Sequence, residues 1–136
     1  MGGIVFLKST DFTETLRFYT TTMEMSVWLE QPDITILQHE NLLVGFQNAG
    51  STPGRAAAGS VVSEGKPTVH HDPARALLTF FYPSREQTDA MYRVLSDRAL
   101  APPNENTQYR IYNFYARDPE NRLIECQTFL HELPAW

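Results

Sequence analysis

The sequence predicts an α+β fold made of two consecutive βαβββ units. In each half of the chain, an apolar β-branched stretch precedes an amphipathic helical pattern, and further strand-like stretches follow. A long segment rich in Gly, Ala, Ser and Pro separates the halves. The residues themselves also repeat, because ENLLVGFQ aligns with ENRLIECQ. We predict one domain over residues 1–136, with unit one at 1–48, a connector at 49–75 and unit two at 76–130.

Unit one is predicted to open with a strand and a helix. GIVFLK at 3–8 is apolar and β-branched enough for a strand, and Thr10 or Asp11 supplies a helix N-cap. Three short strands should follow, because Pro32–Asp33 and the polar turn at 39–41 break the apolar run. The predicted helix places Phe12, Leu16 and Tyr19 on one face, and the three strands are MSVWLEQ, DITILQH and NLLVGFQ.

Unit two repeats this order. ALLTFFY at 76–82 reads as a strand, and Ser84 caps a helix whose apolar positions recur at helical spacing. LAPPNENTQ holds a short strand or loop, and two longer strands surround a turn near the C-terminal end. The helix carries Thr88, Met91, Tyr92 and Leu95, and the last two strands are YRIYNFYARD and NRLIECQTF.

Composition restricts the classes of function. The chain has 136 residues and a formal net charge of −5, so it lacks the basic surface that nucleic-acid binding requires. No apolar run is long enough to span a bilayer, and the N-terminal sequence has no signal-peptide pattern. The single cysteine, Cys126, suits a reducing compartment. We therefore expect a soluble cytoplasmic protein without nucleic-acid or membrane partners.

The closing stretch DPENRLIE, from Asp118 to Glu125, carries a family resemblance. Together with the two βαβββ units and the FY pair at 18–19, it resembles the vicinal oxygen chelate superfamily, which includes glyoxalases, bleomycin resistance proteins and extradiol dioxygenases. Asn121 stands where that family usually has glycine, and Asn also tolerates positive φ. The resemblance implies curled mixed sheets that enclose a cup-shaped pocket, and it implies a homodimer.

Metal-dependent members of that superfamily use four ligands, from the first and last strands of each unit. The matching positions here are Gly3 or Ile4, Ala76 to Leu78, Gly45 and Glu125. Only Glu125 can bind a metal, and one carboxylate does not hold a divalent ion selectively. We expect no metal cofactor. The alternative is a metal-dependent lyase or dioxygenase that takes unusual ligands from His70 and His71 of the connector or from a second subunit.

Glu125 is the candidate centre of a small-molecule pocket. Strand alternation places Leu123, Glu125 and Gln127 on one face and Ile124 and Cys126 on the other. By the family geometry, the face of β-strand residues that carries Glu125 lines the pocket. The repeat adds Gly45 and Gln47 to this lining, and Gly45 would leave open space. Aromatic side chains supply either pocket walls or core, and the candidates are Phe6, Phe80, Tyr82, Tyr112 and Tyr115.

Three roles remain open for Glu125, and one further alternative concerns the pocket as a whole. Glu125 could fix a cationic or hydrogen-bonding ligand for sequestration, or act as a general base among aromatic side chains. It could also be a partly exposed carboxylate paired with Arg110 or Arg117. A structural module whose cup is filled by its own side chains is a further alternative. Cys126, on the opposite face, is predicted to be an inert buried thiol because no nearby residue would activate it.

Overall fold

The computed structural model describes residues 1–50 and 76–135. The chain divides into two compact units, Met1–Ser63 and Glu64–Trp136. The connector from residue 51 onward, with His70, His71 and Asp72, lies outside the described residues. Within the described part of the chain, no helix has both the length and the apolar character needed to cross a membrane.

Unit one contains the predicted β-α-β-β-β order. Its four-stranded sheet has the spatial order β1-β4-β3-β2. Strand β1 runs parallel to β4, and the other two pairs are antiparallel. The helix begins after Asp11 and continues as a π-helical turn over Phe18–Thr22. The elements are β1 (Val5–Ser9), α1 (Phe12–Arg17), β2 (Ser26–Gln31), β3 (Ile34–His39) and β4 (Leu42–Asn48).

Unit two has the same order of elements and the same sheet topology. Its strands lie in the order β5-β8-β7-β6, again with the first and last strands parallel. Ser84 caps the helix as predicted, because its side-chain oxygen accepts a hydrogen bond from the backbone N–H of Gln87 at 3.3 Å. The elements are β5 (Leu78–Phe81), α2 (Arg85–Val94), β6 (Asn104–Asn106), β7 (Ile111–Arg117) and β8 (Leu123–Phe129).

The repeat in residues corresponds to a repeat in structure. The aligned segments form β4 and β8, which pair in parallel with the first strand of their own unit and antiparallel with the preceding strand. Val44 and Ile124 occupy matching positions, and both are fully buried. The same holds for Phe46 and Cys126. The apolar members of the repeat are therefore the core-facing positions of the central strands.

The turn between β7 and β8 is built around Asp118. Its Oδ1 accepts hydrogen bonds from the backbone N–H groups of Glu120 at 2.9 Å and Arg122 at 2.8 Å. Its Oδ2 pairs with the Arg122 guanidinium at 2.8 Å. Burial disfavours the charged guanidinium, yet Asp118 and Glu120 raise the pKa of Arg122 above its ordinary value. Asn121 has a φ of 65°, as the turn prediction requires.

Candidate functional site

Glu125 is a buried carboxylate at the centre of β8. It is only 6% exposed. Its Oε2 accepts a hydrogen bond from the Thr79 hydroxyl on β5 at 2.9 Å, and its Oε1 accepts one from the Asn113 side-chain amide on β7 at 2.8 Å. Both neighbouring strands therefore supply a neutral donor to this carboxylate. Each of its two oxygens therefore accepts one hydrogen bond from a neighbouring strand.

One alternative for Glu125, a partly exposed carboxylate paired with Arg110 or Arg117 of the hairpin, is not what the structure shows. Arg110 donates to the Leu130 carbonyl at 3.3 Å, and Arg117 donates to the Asn121 carbonyl at 3.3 Å. Among the residues that the structure describes, no basic side chain pairs with Glu125. The physical reason is strand register, because the side chains that flank Glu125 come from Thr79 and Tyr115.

Tyr115 and Gln127 lie on the same sheet face as Glu125. Tyr115 pairs directly with Glu125 across β7 and β8, and Asn113 pairs with Gln127. Burial, followed by the negative charge of Glu125, raises the pKa of Tyr115 above its ordinary value. The hydrogen bond with Asn113 acts in the opposite direction. A phenol with an ordinary or raised pKa is protonated at neutral pH, so Tyr115 is a hydrogen-bond donor there.

A cavity of about 600 Å³ opens beside this network in unit two. Asn113 and Tyr115 form part of its wall, and β6 with its flanking loops forms the rest. Glu125 is not among the lining residues, so its effect on this cavity passes through Asn113 and Tyr115. The lining residues are Leu100, Ala101, Pro102, Asn104, Glu105, Asn106, Thr107, Gln108, Asn113, Phe114 and Tyr115.

Phe80 and Tyr112 do not lie on the Glu125 face, which corrects their predicted place in the pocket. Phe80 pairs with Cys126 and Tyr112 with Thr128, and paired positions share a face. Phe80 is almost fully buried. The Tyr112 hydroxyl donates to Asp89 of α2 at 2.6 Å, and this bond raises the pKa of Tyr112. Both rings therefore belong to the helix-facing side of the sheet.

The corresponding face of unit one is arranged differently. Phe6 pairs with Gly45 across β1 and β4, and its ring lies where a Cβ at Gly45 would stand. The prediction that Gly45 leaves open space is therefore wrong, because the Phe6 ring takes that space. Gln47, two positions further on the same face, is exposed. Phe6 itself is 54% exposed, so it covers Gly45 from the solvent side.

Cys126 is a buried free thiol, as predicted. Its side chain lies on the opposite face of β8 from Glu125. Burial raises the pKa of the Cys126 thiol to about 12, against a partial opposing effect of a hydrogen bond with Tyr82. A thiol with this pKa is almost entirely protonated at neutral pH and is a poor nucleophile.

Thr79 and Asn113 are site residues that the sequence reasoning missed. Asn113 could have been found by counting back from the turn, since the hairpin places it on the same face as Tyr115. Thr79 gave a weaker signal, because its partner is 46 residues away and the parallel register of β5 cannot be read from the sequence. The carboxamides of β6, Asn104 and Asn106, were assigned only to a short strand or loop.

The residues at the family's metal positions do not fit a metal ion. Glu125 is the one acidic side chain at these positions, Gly45 offers no side-chain ligand atom, and a single carboxylate does not hold a divalent ion selectively. Within residues 1–50 and 76–135, no three His, Cys, Asp or Glu side chains come together in a way that could hold a metal. His39 lies at the end of β3 and His131 beyond β8, so neither belongs to such a group.

Comparison with solved structures shows which fold this is. A glyoxalase/bleomycin resistance protein/dioxygenase family enzyme from Burkholderia phytofirmans PsJN is similar at a TM-score of 0.70 and 18% identity, over 93% of this chain and 97% of that one. Lactoylglutathione lyase from Agrobacterium tumefaciens is similar at a TM-score of 0.64 and 15% identity, over 92% and 90% of the two chains. A fosfomycin resistance protein from Listeria monocytogenes gives a TM-score of 0.64 at 16% identity, over 93% and 90%.

These matches confirm the predicted fold. The chain has the two-unit α+β fold of the glyoxalase/bleomycin resistance/dioxygenase proteins. No protein-family model matches the sequence, and no curated protein matches it at a significant level. Particular activities and ligands therefore have to be argued from the residues of this chain.

Proposed function

We propose that this chain binds a small organic molecule in the unit-two cavity without using a metal ion. The observation that carries the proposal is the arrangement of the cavity wall: Asn113 and Tyr115 line the cavity and are both held by the buried carboxylate of Glu125. A concave site with a few fixed polar groups is the usual form of a small-molecule site.

Glu125 acts in this proposal as a positioning residue. Its bond to the Asn113 amide fixes the orientation of that side chain, and Tyr115 pairs with it directly across β7 and β8. Glu125 is buried and is not among the residues that line the cavity, so a ligand in the cavity meets Asn113 and Tyr115 rather than the carboxylate itself. This geometry favours binding, including sequestration, over general-base chemistry at Glu125.

The fold neighbours support a small-molecule role without identifying the ligand. The lactoylglutathione lyase and the fosfomycin resistance protein are both named for a small molecule that they process or confer resistance to. The residues that would select a ligand in this chain are its own carboxamides and phenol. The unsuitable metal positions support metal independence.

The test is a screen of small aromatic and heterocyclic compounds against isotope-labelled protein, read by NMR, before and after treatment with a chelator. Side-chain amide signals of Asn104, Asn106 and Asn113 report directly on the cavity. We expect at least one compound to shift these signals equally in both conditions. Shifts that vanish with the chelator would show metal dependence, and a complete absence of shifts would favour a structural module.

A matched pair of variants separates cavity binding from surface binding. Asn104 is exposed on the short edge strand β6 and lines the cavity, so Asn104→Trp should fill the site and abolish binding. Gln87 is exposed on α2 and is not among the lining residues, so Gln87→Trp should leave binding intact. Equal loss in both variants would place the binding elsewhere.

A further inference from the structure

The wall of the unit-two cavity is unusually rich in carboxamide side chains. Asn104, Asn106, Gln108 and Asn113 all line it. Asn104 pairs with Asn113 and Asn106 pairs with Ile111 across β6 and β7, so the three asparagines share the sheet face that also carries Glu125. Each carboxamide presents a donor and an acceptor, and none carries a charge.

In two of these carboxamides, one of the two polar atoms already makes a hydrogen bond within the protein. The Asn113 nitrogen donates to Glu125 at 2.8 Å, which leaves the Asn113 oxygen as a free acceptor. The Asn106 oxygen accepts from the backbone N–H of Tyr109 at 3.1 Å, which leaves the Asn106 nitrogen as a free donor. The wall therefore offers a ligand one acceptor, the Asn113 oxygen, and one donor, the Asn106 nitrogen. The internal hydrogen bond of each side chain determines which of its two atoms faces the ligand.

The charges around the cavity disfavour an anion. In the part of the chain that the structure describes, no basic side chain lines it, and the one acidic lining residue is Glu105. Glu105 is paired with Arg85 at 2.8 Å and so does little to attract a cation. Behind the wall, Glu125 accepts hydrogen bonds from the neutral side chains of Thr79 and Asn113. An anionic group would lose its hydration near the Glu125 carboxylate, and the Arg85 guanidinium that could compensate is already paired with Glu105.

We propose that the ligand carries an uncharged carboxamide- or lactam-type group, whose N–H bonds the Asn113 oxygen and whose carbonyl accepts from the Asn106 nitrogen. The proposal rests on the binding function proposed above and adds the chemical class of the ligand. A cation such as an amidinium supplies donors only and leaves the Asn106 nitrogen without an acceptor. A carboxylate supplies acceptors only and leaves the Asn113 oxygen without a donor.

Three probes of matched size test this class: benzamide, benzamidinium and benzoate. Each is titrated into labelled protein, and the side-chain amide signals of Asn106 and Asn113 give the affinities. We expect benzamide to bind about tenfold more tightly than benzoate, a difference of about 1.4 kcal/mol, with benzamidinium between them. Benzoate or benzamidinium binding as tightly as benzamide would overturn the inference and leave the binding function standing. No response to any of the three probes would count against both proposals.

A charge introduced into the wall gives an independent check. Asn104 makes no hydrogen bond with its side chain in the described part of the chain and is exposed, so Asn104→Lys should fold normally. We expect it to raise the affinity for benzoate at least fivefold, because the wall then contains a cation. Gln87→Lys adds the same charge outside the cavity lining and should leave the benzamide-to-benzoate ratio unchanged. An equal effect of the two variants would overturn the inferred exclusion of anions.

Discussion

The Asn113 side-chain amide donates a hydrogen bond to the Glu125 carboxylate at 2.8 Å, and Asn113 in turn lines the unit-two cavity. This bond connects a buried charge to the cavity surface. Because Thr79 completes the set of donors from the other neighbouring strand, the carboxylate is held from both sides of β8. Removal of the Glu125 carboxylate should therefore affect both the stability of unit two and the orientation of the Asn113 side chain in the cavity wall.

The first prediction concerns the stability contributed by Glu125. In Glu125→Gln, one oxygen becomes an NH₂ group that faces a donor, and the charge-assisted hydrogen bonds are lost. We expect the free energy of unfolding to fall by about 1–3 kcal/mol in urea denaturation. Glu86→Gln, on the exposed first turn of α2, is the control and should change it by less than about 0.5 kcal/mol. An equally small effect at Glu125 would show that its hydrogen bonds contribute little.

The second prediction contrasts a buried ion pair with an exposed one. The side chain of Asp118 is fully buried and satisfies two backbone N–H groups as well as Arg122. Asp118→Ala should lower the free energy of unfolding by about 3 kcal/mol, because it leaves buried donors without an acceptor. Glu14→Ala removes the exposed Glu14–Arg17 pair and should cost less than about 1 kcal/mol. Chemical denaturation of both variants tests the contrast, and equal losses would contradict it.

The third prediction concerns the packing of Phe6 on Gly45. Gly45→Ala places a methyl group against the Phe6 ring, which must move. We expect this substitution to be destabilising in the wild-type background and less so, or stabilising, when Phe6 is replaced by Ala. A double-mutant cycle measured by thermal or urea unfolding should give a coupling energy of at least about 0.5 kcal/mol. Additive effects of the two substitutions would mean that the packing of the Phe6 ring does not require glycine at position 45.

The fourth prediction concerns Cys126 and alkaline pH. Burial raises the pKa of this thiol from 9.0 to about 12 in the folded protein. Below pH 9 both folded and unfolded chains hold the proton, so the thiol adds no pH dependence. Between about pH 9 and 12 the unfolded chain binds fewer protons, so stability should fall as pH rises, by up to about 1.4 kcal/mol per pH unit from this group.

Cys126→Ala isolates this contribution. The variant lacks the titrating thiol, so its free energy of unfolding should fall less steeply than that of the wild type over the same alkaline range. Urea unfolding at a series of pH values measures both slopes. Identical slopes would show that the thiol ionises as readily in the folded protein as in the unfolded chain.

The sequence by itself determined the order of elements, the duplication and the turn at Asp118. These features depend on local rules: alternation identifies strands, Ser84 identifies a helix start, and Asn121 tolerates the positive φ that its turn requires. The burial of Cys126 followed from the same alternation once one face of β8 was assigned to the core. The resemblance that DPENRLIE carried was confirmed at the level of the fold.

Only the tertiary structure decided what Glu125 contacts and where the cavity lies. Thr79 reaches Glu125 through a parallel pairing whose register depends on packing rather than on a local turn. For Phe80 and Tyr112 the sequence left pocket wall and core open, because an aromatic residue suits both equally well, and strand pairing places them on the helix-facing side. Gly45 was read as open space, whereas a ring from the adjacent strand occupies it. A sequence fixes which face a residue shares with its strand neighbours, but long-range pairing selects the side chains that meet there.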